Sequence, residues 1–236
     1  MEKSNKKADI FFVAGTDTGV GKTVFSLLLM QFFYAKGYDP FYLKPLQTGC
    51  KDPYDTDSDA AFIYRNVKPL EKKDPADSMV YCFKNPKAPY FAARDRKKNI
   101  DFKRIENVVE EKSRFCNPLI IEAAGGLFVP VNEKLLIIDM IKRIKAQPIL
   151  VARAGLGTIN HTLLSIEALS HRGIKPAGLV FMDVSDPPVS KEMVTENMEA
   201  VEKFSDVKVS GVIGKIHDFS NPGKKCFESV ERIFKM

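Results

Sequence analysis

Lys22, Thr23, Lys44, Asp59 and Glu122 are the side chains through which this chain could handle phosphate, and the first two close the segment Gly15-Thr16-Asp17-Thr18-Gly19-Val20-Gly21-Lys22-Thr23. Glycines in such a segment let backbone N–H groups turn inward, a lysine reaches the outer phosphates of a nucleotide, and a threonine hydroxyl can ligate magnesium. A helix starting there adds the positive end of its dipole. Thr18, Gly19, Val20, Gly21, Lys22, Thr23 and Val24 are therefore the expected nucleotide-holding positions. The usual pattern has a glycine where this chain has Thr16, with Gly15 one step earlier. A bare glycine-rich turn would not need Lys-Thr between an apolar run and a helical pattern.

Two more polar groups follow apolar runs: Lys44-Pro45-Leu46-Gln47-Thr48-Gly49 after Phe41 to Leu43, and Glu122-Ala123-Ala124-Gly125-Gly126 after Pro118 to Ile121. A lysine or glutamate at the end of a buried strand is costly unless it meets an opposite charge or a metal. Each alone reads equally as a structural ion pair. Beside the phosphate loop they read as a phosphoryl-transfer site with two cations and a metal ligand. In Asp55-Thr56-Asp57-Ser58-Asp59, Asp57 or Ser58 suits a helix N-cap, and Asp59 is the expected partner of Thr23 and Glu122 on Mg²⁺. Gly155-Leu156-Gly157-Thr158-Ile159-Asn160-His161 opens a further helix whose free N–H groups suit a carboxylate. Its spacing fits an ordinary glycine-rich loop with a Thr158 cap at least as well.

The elements that must position these residues alternate. Ile10 to Ala14, Phe41 to Leu43, Pro118 to Ile121, Pro148 to Ala152, Ala177 to Met182 and Val207 to Val212 read as buried strands. Thr23 to Lys36, Ile100 to Phe115, Leu135 to Lys145, Ile159 to His171, Val189 to Phe204 and Cys226 to Met236 read as helices. The pattern predicts an α/β fold: a mostly parallel sheet with helices on both faces, ligands lying outside the carboxyl ends of the strands. Residues 49–98, rich in Pro, Asp and Lys, read as an active-site excursion with one short helix near Ser58 to Arg65.

A chain of 236 residues at 44% hydrophobic composition can bury a sizeable core and is expected to form a single domain, spanning 1–236. The net charge of +6 is spread in pairs such as Lys97-Lys98 and Lys224-Lys225 and predicts a solvated surface rather than a nucleic-acid partner. Cys50, Cys82, Cys116 and Cys226 form no Cys-x-x-Cys pair, which excludes the common zinc and dithiol motifs and predicts reduced thiols. No apolar run is long enough to span a bilayer, and the lysine-bearing start lacks a signal peptide's cleavage site. The expectation is a soluble cytoplasmic protein with no membrane partner.

The phosphate loop, Lys44-Pro45 with Thr48-Gly49, Asp57-Ser58-Asp59-Ala60, Glu122 to Gly126 and Gly157-Thr158-Ile159-Asn160-His161 together resemble the dethiobiotin synthases, which are P-loop enzymes of the deviant class. The resemblance spans nearly the whole chain. It implies an ATP- and Mg²⁺-dependent ligase of biotin biosynthesis that joins 7,8-diaminononanoate and CO₂ into the cyclic urea dethiobiotin, releasing ADP and phosphate. It implies catalytic roles for Lys22, Lys44 and Thr48, and a diamine site of Lys44, Thr48, Gly125, Gly126, Gly157, Thr158 and Asn160, the last three supplied across a homodimer. It places Asp59, Glu122 and Gly125 near the phosphates and Met182, Asp183, Gly214, Lys215 and Ile216 around the base. Met182 stands where the family commonly has an asparagine that reads adenine, Gly214 where proline is common, Tyr90 where histidine is common, and Ala123 where glycine is usual, so retained chemistry with a looser or altered base preference is expected. The competing reading is a ParA- or MinD-like ATPase switch acting through protein partners. Its signature lysine would fall at Asp17.

Overall fold

The computed structural model describes residues 8–234. The lysine-bearing start and the last two residues of the expected C-terminal helix lie outside them. Among the described residues the chain runs β1 (Ile10–Gly15), α1 (Lys22–Ala35), β2 (Phe41–Thr48), α2 (Asp59–Asn66), β3 (Met79–Phe83), α3 (Pro89–Asp95), α4 (Phe102–Lys112), β4 (Leu119–Gly126), α5 (Ile137–Ile144), β5 (Gln147–Arg153), α6 (Thr158–Ser170), β6 (Gly178–Met182), α7 (Lys191–Phe204), β7 (Val209–Ile213) and α8 (Lys224–Phe234). The strands form one parallel sheet in the order β3-β2-β4-β1-β5-β6-β7.

Alternation along each strand sends side chains to two cores. In β1, Phe11 and Val13 face α1, α2 and α8, while Ile10, Phe12 and Ala14 face the side covered by α3 to α7. Helix α1 is apolar nearly all round because it is covered nearly all round: Phe25, Leu27, Leu28, Leu29 and Met30 are fully buried. Each such side chain contributes about 1.5–3 kcal/mol relative to exposure, which anchors the helix that carries Lys22 and Thr23 at its start.

Two features of the sheet make the site. Strand β2 continues to Thr48 rather than stopping at Leu43, so Lys44 lies inside a strand. It pairs with β4 only from Phe41 to Leu43 and thereafter with β3, from Lys44 opposite Met79 to Thr48 opposite Phe83. Pro45, which has no N–H to donate, falls in the stretch that has left β4. The fork opens a crevice between β2 and β4 at Lys44 and Glu122. Strand β4 also runs further than expected, to Gly126, with a register break against β1. Gly125 there has φ +78°, and a Cβ would stand 2.8 Å from Val129 Cγ2.

The excursion holds more structure than one short helix. Besides α2 it contains β3, an edge strand, and α3, which begins on Pro89. Ser58, not Asp57, caps α2, its Oγ accepting from Ala61 N–H at 3.1 Å.

Candidate active site

Strand β1 ends at Gly15 and the chain turns over the sheet's carboxyl edge into α1 through Gly21, whose φ of +95° only glycine adopts freely. A Cβ on Gly21 would also meet Met182 Cγ at 2.9 Å, so the loop is seated directly on the end of β6. Asp17 organises the loop internally: its Oδ1 accepts from Thr18 N–H at 2.7 Å, its carbonyl accepts from Lys22 Nζ at 2.9 Å, and its Oδ2 pairs with Arg153 at 3.2 Å. An acid with these partners occupies the position where the competing switch class carries its signature lysine. Burial, reinforced by the nearby charge of Lys44, lowers the Lys22 ammonium to about 8. A phosphate anion would reverse that shift.

At the β2–β4 fork, Tyr42 and Lys44 point to the same face as Glu122, toward α1. Lys44 is 4% exposed and Glu122 1%. The Lys44 ammonium donates to Glu122 Oε1 at 2.7 Å, to Asp59 Oδ2 at 2.8 Å and to the Ala123 carbonyl at 3.0 Å, using all three of its protons. Burial alone would depress this lysine, but the two carboxylates outweigh it and hold Lys44 above the ordinary lysine range. Asp59 feels the converse: burial would raise it, and the Lys44 charge with hydrogen bonds from Lys44 and Thr23 holds it below the usual range. Gln47 Oε1 fixes α2's first residue by accepting from Asp59 N–H at 3.1 Å.

Thr23 Oγ1 lies 2.9 Å from Asp59 Oδ1 and 2.9 Å from Glu122 Oε1. One hydroxyl proton can serve only one of them at a time. Three hard oxygen donors short of a proton, converging beside the phosphate loop, are a donor set that fits Mg²⁺. Among the described residues no cluster of three or more His, Cys, Asp or Glu exists that would compete as a metal centre.

Tyr42 is the site residue that sequence reasoning missed, because a tyrosine in an apolar strand reads as core. It is fully buried, and its hydroxyl donates to Glu122 Oε2 at 2.8 Å. Burial and the Glu122 charge both push its phenol well above the ordinary tyrosine range, so it stays a donor. Behind it Ser78 Oγ donates to the Tyr42 carbonyl at 2.7 Å and lies 2.9 Å from the Tyr64 hydroxyl. Tyr42→Phe leaves Glu122 Oε2 buried without a donor, and the expected result in urea unfolding is a loss of about 1–3 kcal/mol.

The cleft between these elements has a volume of about 630 Å³. Thr18, Gly19, Gly21, Lys22, Thr23, Val24, Lys44, Thr48, Asp59, Glu122 and Gly125 line it, together with the stretch 86–89 of the excursion. Other expected positions lie elsewhere. Val20 is fully buried, so only its backbone can face a phosphate. Gly126 packs beneath the loop, facing the Thr16 carbonyl and Asp17 Cα. Met182 is turned under Gly21 into the core and offers no side chain to a base. Both Asp183 carboxylate oxygens accept from backbone, Ser185 N–H at 3.1 Å and Val189 N–H at 3.0 Å. Lys215 Nζ is paired with Asp186 at 2.8 Å, while Gly214 and Ile216 flank it beyond β7, outside the cleft wall. Thr158 is fully buried with its hydroxyl 3.3 Å from that of Thr162, and Gly157 with Asn160 is exposed at the start of α6, also outside the cleft wall.

Residues 9–223 match a family model described as an AAA domain. The chain is 38% identical over 182 residues to an ATP-dependent dethiobiotin synthetase of Hydrogenobaculum sp., covering 75% of this chain and 79% of that protein. It is 33% identical over 214 residues to an ATP-dependent dethiobiotin synthetase of Methanococcus vannielii, covering 89% and 95%. Among solved structures it resembles the cell division ATPase MinD of Pyrococcus furiosus, with a TM-score of 0.58 at 15% identity over 97% of this chain and 99% of that one. That likeness is one of fold alone. At the level of sequence, the chain belongs to the ATP-dependent dethiobiotin synthetase family.

Proposed function

We propose that the chain converts 7,8-diaminononanoate, CO₂ and ATP into dethiobiotin, ADP and phosphate, and that the cleft between the phosphate loop and the β2–β4 fork is where it does so. The observation that carries this reading is Lys44, an ammonium held at 2.7–2.8 Å from two carboxylates on the wall of a phosphate cleft. A nucleotide-binding module without chemistry would not need that arrangement.

An uncharged substrate amine adds to CO₂ and loses a proton, giving a carbamate. Lys44 and Lys22 stabilise its charge, Lys44 turning one proton to it once Asp59 and Glu122 share part of their charge with Mg²⁺, while the Thr48 hydroxyl donates to it. The carbamate oxygen attacks the γ-phosphorus, ADP leaves, and the second amine attacks the carbonyl of the mixed anhydride to close the ring and expel phosphate. Thr18 to Val24 hold the triphosphate in line, so the rate gain comes from positioning and charge. Thr23, Asp59 and Glu122 would hold Mg²⁺, which supplies neutralisation of the nucleotide's phosphate oxygens. Gly125 supplies close backbone approach on the cleft wall, and Gly126 supports the loop from beneath. The protein acts as a cytoplasmic homodimer in which Gly157, Thr158 and Asn160 of one copy meet the diamine's carboxylate in the other, Gly157 and Asn160 through their backbone N–H groups and Thr158, whose N–H donates to the Gly155 carbonyl at 3.2 Å, by holding the turn between them. Leu156, 88% exposed in the same loop, and Leu164 on α6 supply apolar surface for that contact. Among the described residues no helix is long and apolar enough to cross a membrane.

Purified protein with the diamine, bicarbonate and MgATP should release phosphate only when the diamine is present, with dethiobiotin identified by mass spectrometry. Phosphate release indifferent to the diamine would overturn the assignment and favour the switch reading.

Base recognition follows from the same residues. Met182 is turned inward and the Asp183 carboxylate is spent on its own loop, which leaves backbone groups to read the base. Turnover with ATP, CTP and GTP at equal concentration is expected to agree within about tenfold, the discrimination that a single lost hydrogen bond of ~1.4 kcal/mol would otherwise supply. A preference for ATP above a hundredfold would contradict this.

A further inference from the structure

The register of β2 and β3 brings together two cysteines that sequence separation hides. Gln47 pairs with Cys82 and Thr48 with Phe83, and Gly49 N–H extends the ladder by donating to the Phe83 carbonyl at 2.9 Å. Gly49 then turns at φ +83°, which lays Cys50 back over β3. The two Sγ atoms end 2.9 Å apart, and Cys82 Sγ lies 3.8 Å from the Cys50 carbonyl. A disulfide needs about 2.05 Å between sulfurs, so less than about 1 Å of closure separates the pair from a bond. Both strands are already hydrogen-bonded in the arrangement a bond would demand.

We propose that Cys50 and Cys82 form a modification site, an intramolecular disulfide that staples the two ends of residues 51–81, the part of the excursion that carries Asp59. The chemical class of oxidant is a small soluble disulfide such as oxidised glutathione. Cys50 is 2% exposed and Cys82 is half-buried, which makes Cys82 the point of entry. Its sulfur, as thiolate, attacks the external disulfide, forming a mixed disulfide and releasing one small thiol. Cys50 sulfur then attacks Cys82 Sγ, and the second small thiol leaves. Two S–H bonds are lost, one S–S bond forms, and two electrons reduce the external disulfide to two thiols. Burial pushes both thiols above the ordinary cysteine range, so the exchange is slow and the staple, once made, has no reactive thiolate beside it to reopen it. Closing a loop of this length restricts the unfolded chain far more than the folded one. Cys116 and Cys226 serve as internal controls, the latter hydrogen-bonded to the Pro222 carbonyl at 3.0 Å.

The test incubates the full chain with oxidised glutathione under native conditions, blocks remaining thiols with iodoacetamide, and maps unreduced peptides by mass spectrometry. The expected result is a protein lighter by two hydrogens before alkylation, a dominant Cys50–Cys82 crosslink, unlinked Cys116 and Cys226, and a thermal midpoint higher by roughly 5–10 °C that dithiothreitol reverses. The Cys82→Ser variant should show no such shift. A glutathione adduct that persists on Cys82, crosslinks scattered over all four cysteines, or a crosslink without a midpoint shift would each overturn the proposal.

Discussion

Lys44→Ala should lose dethiobiotin formation by a factor of about 10³ or more while still binding MgATP. In the proposed reaction Lys44 stabilises an anion that exists only once the substrate amine has captured CO₂, and removing one preorganised donor from such a site typically costs 10²–10³ in turnover. Its loss should be larger than that, because Lys44 is a full charge and is itself buried. The nucleotide contacts proposed above, Lys22 and the loop N–H groups, are untouched. The variant also leaves Asp59 and Glu122 facing each other without the ammonium that now sits 2.7–2.8 Å from both. Breaking a buried ion pair from one side costs about 3–5 kcal/mol, and a divalent cation is the natural replacement charge. The variant's thermal midpoint should therefore rise more steeply with added MgATP than that of the parent chain. Calorimetric nucleotide titration and steady-state turnover check the two halves separately. A variant that loses nucleotide binding and turnover together would place Lys44 in the nucleotide site and not at the carbamate.

The phosphate loop was legible in the sequence because its chemistry is written in contiguous residues: an apolar run, glycines, Lys22 and Thr23. The parallel sheet was legible for a related reason. Strands buried on both faces read as short apolar runs, and six of the seven strands carry one, although that of β7 is broken by Lys208, Ser210 and Gly211. What stayed hidden depends on which way a strand goes after its apolar run ends. β2 keeps its extended form past Lys44 because it exchanges β4 for β3, and β3 lies in a segment whose prolines and charges mask a five-residue edge strand. Tyr42 and Met182 show the same limit from opposite sides. Tyr42 looks like core yet points its hydroxyl at Glu122, whereas Met182 occupies a position tied by resemblance to the base yet packs beneath Gly21. Tyr42 lies where β2 pairs with β4 in unbroken register, so what sequence position leaves out there is the partner its hydroxyl meets, whereas before Met182 the register of β6 against β7 itself shifts, between Leu179 and Phe181.

Glu122→Gln should produce the opposite signature to Lys44→Ala: weakened metal-dependent nucleotide binding along with lost turnover. Glutamine matches the shape of the glutamate, and the Tyr42 hydroxyl can turn to accept from the new amide, so the chain should fold with only a modest stability loss. The charge, however, cannot be replaced. Glu122 Oε1 now takes both Lys44 and Thr23, and with a neutral amide oxygen there Lys44 is left with Asp59 as its one anionic partner. The set Thr23, Asp59 and residue 122 drops from two negative charges to one. Loss of a carboxylate ligand should weaken Mn²⁺ binding in the presence of nucleotide by about tenfold to a hundredfold, at least the span seen when only a ligand's supporting partner is removed. Turnover should fall by about 10²-fold or more. The measurement is Mn²⁺ titration followed by electron paramagnetic resonance, alongside turnover at saturating metal. If excess metal restores full turnover, Glu122 only recruits the ion. If turnover stays low when the metal site is full, Glu122 also holds Lys44 in place for the carbamate, which is the role its 2.7 Å contact supports.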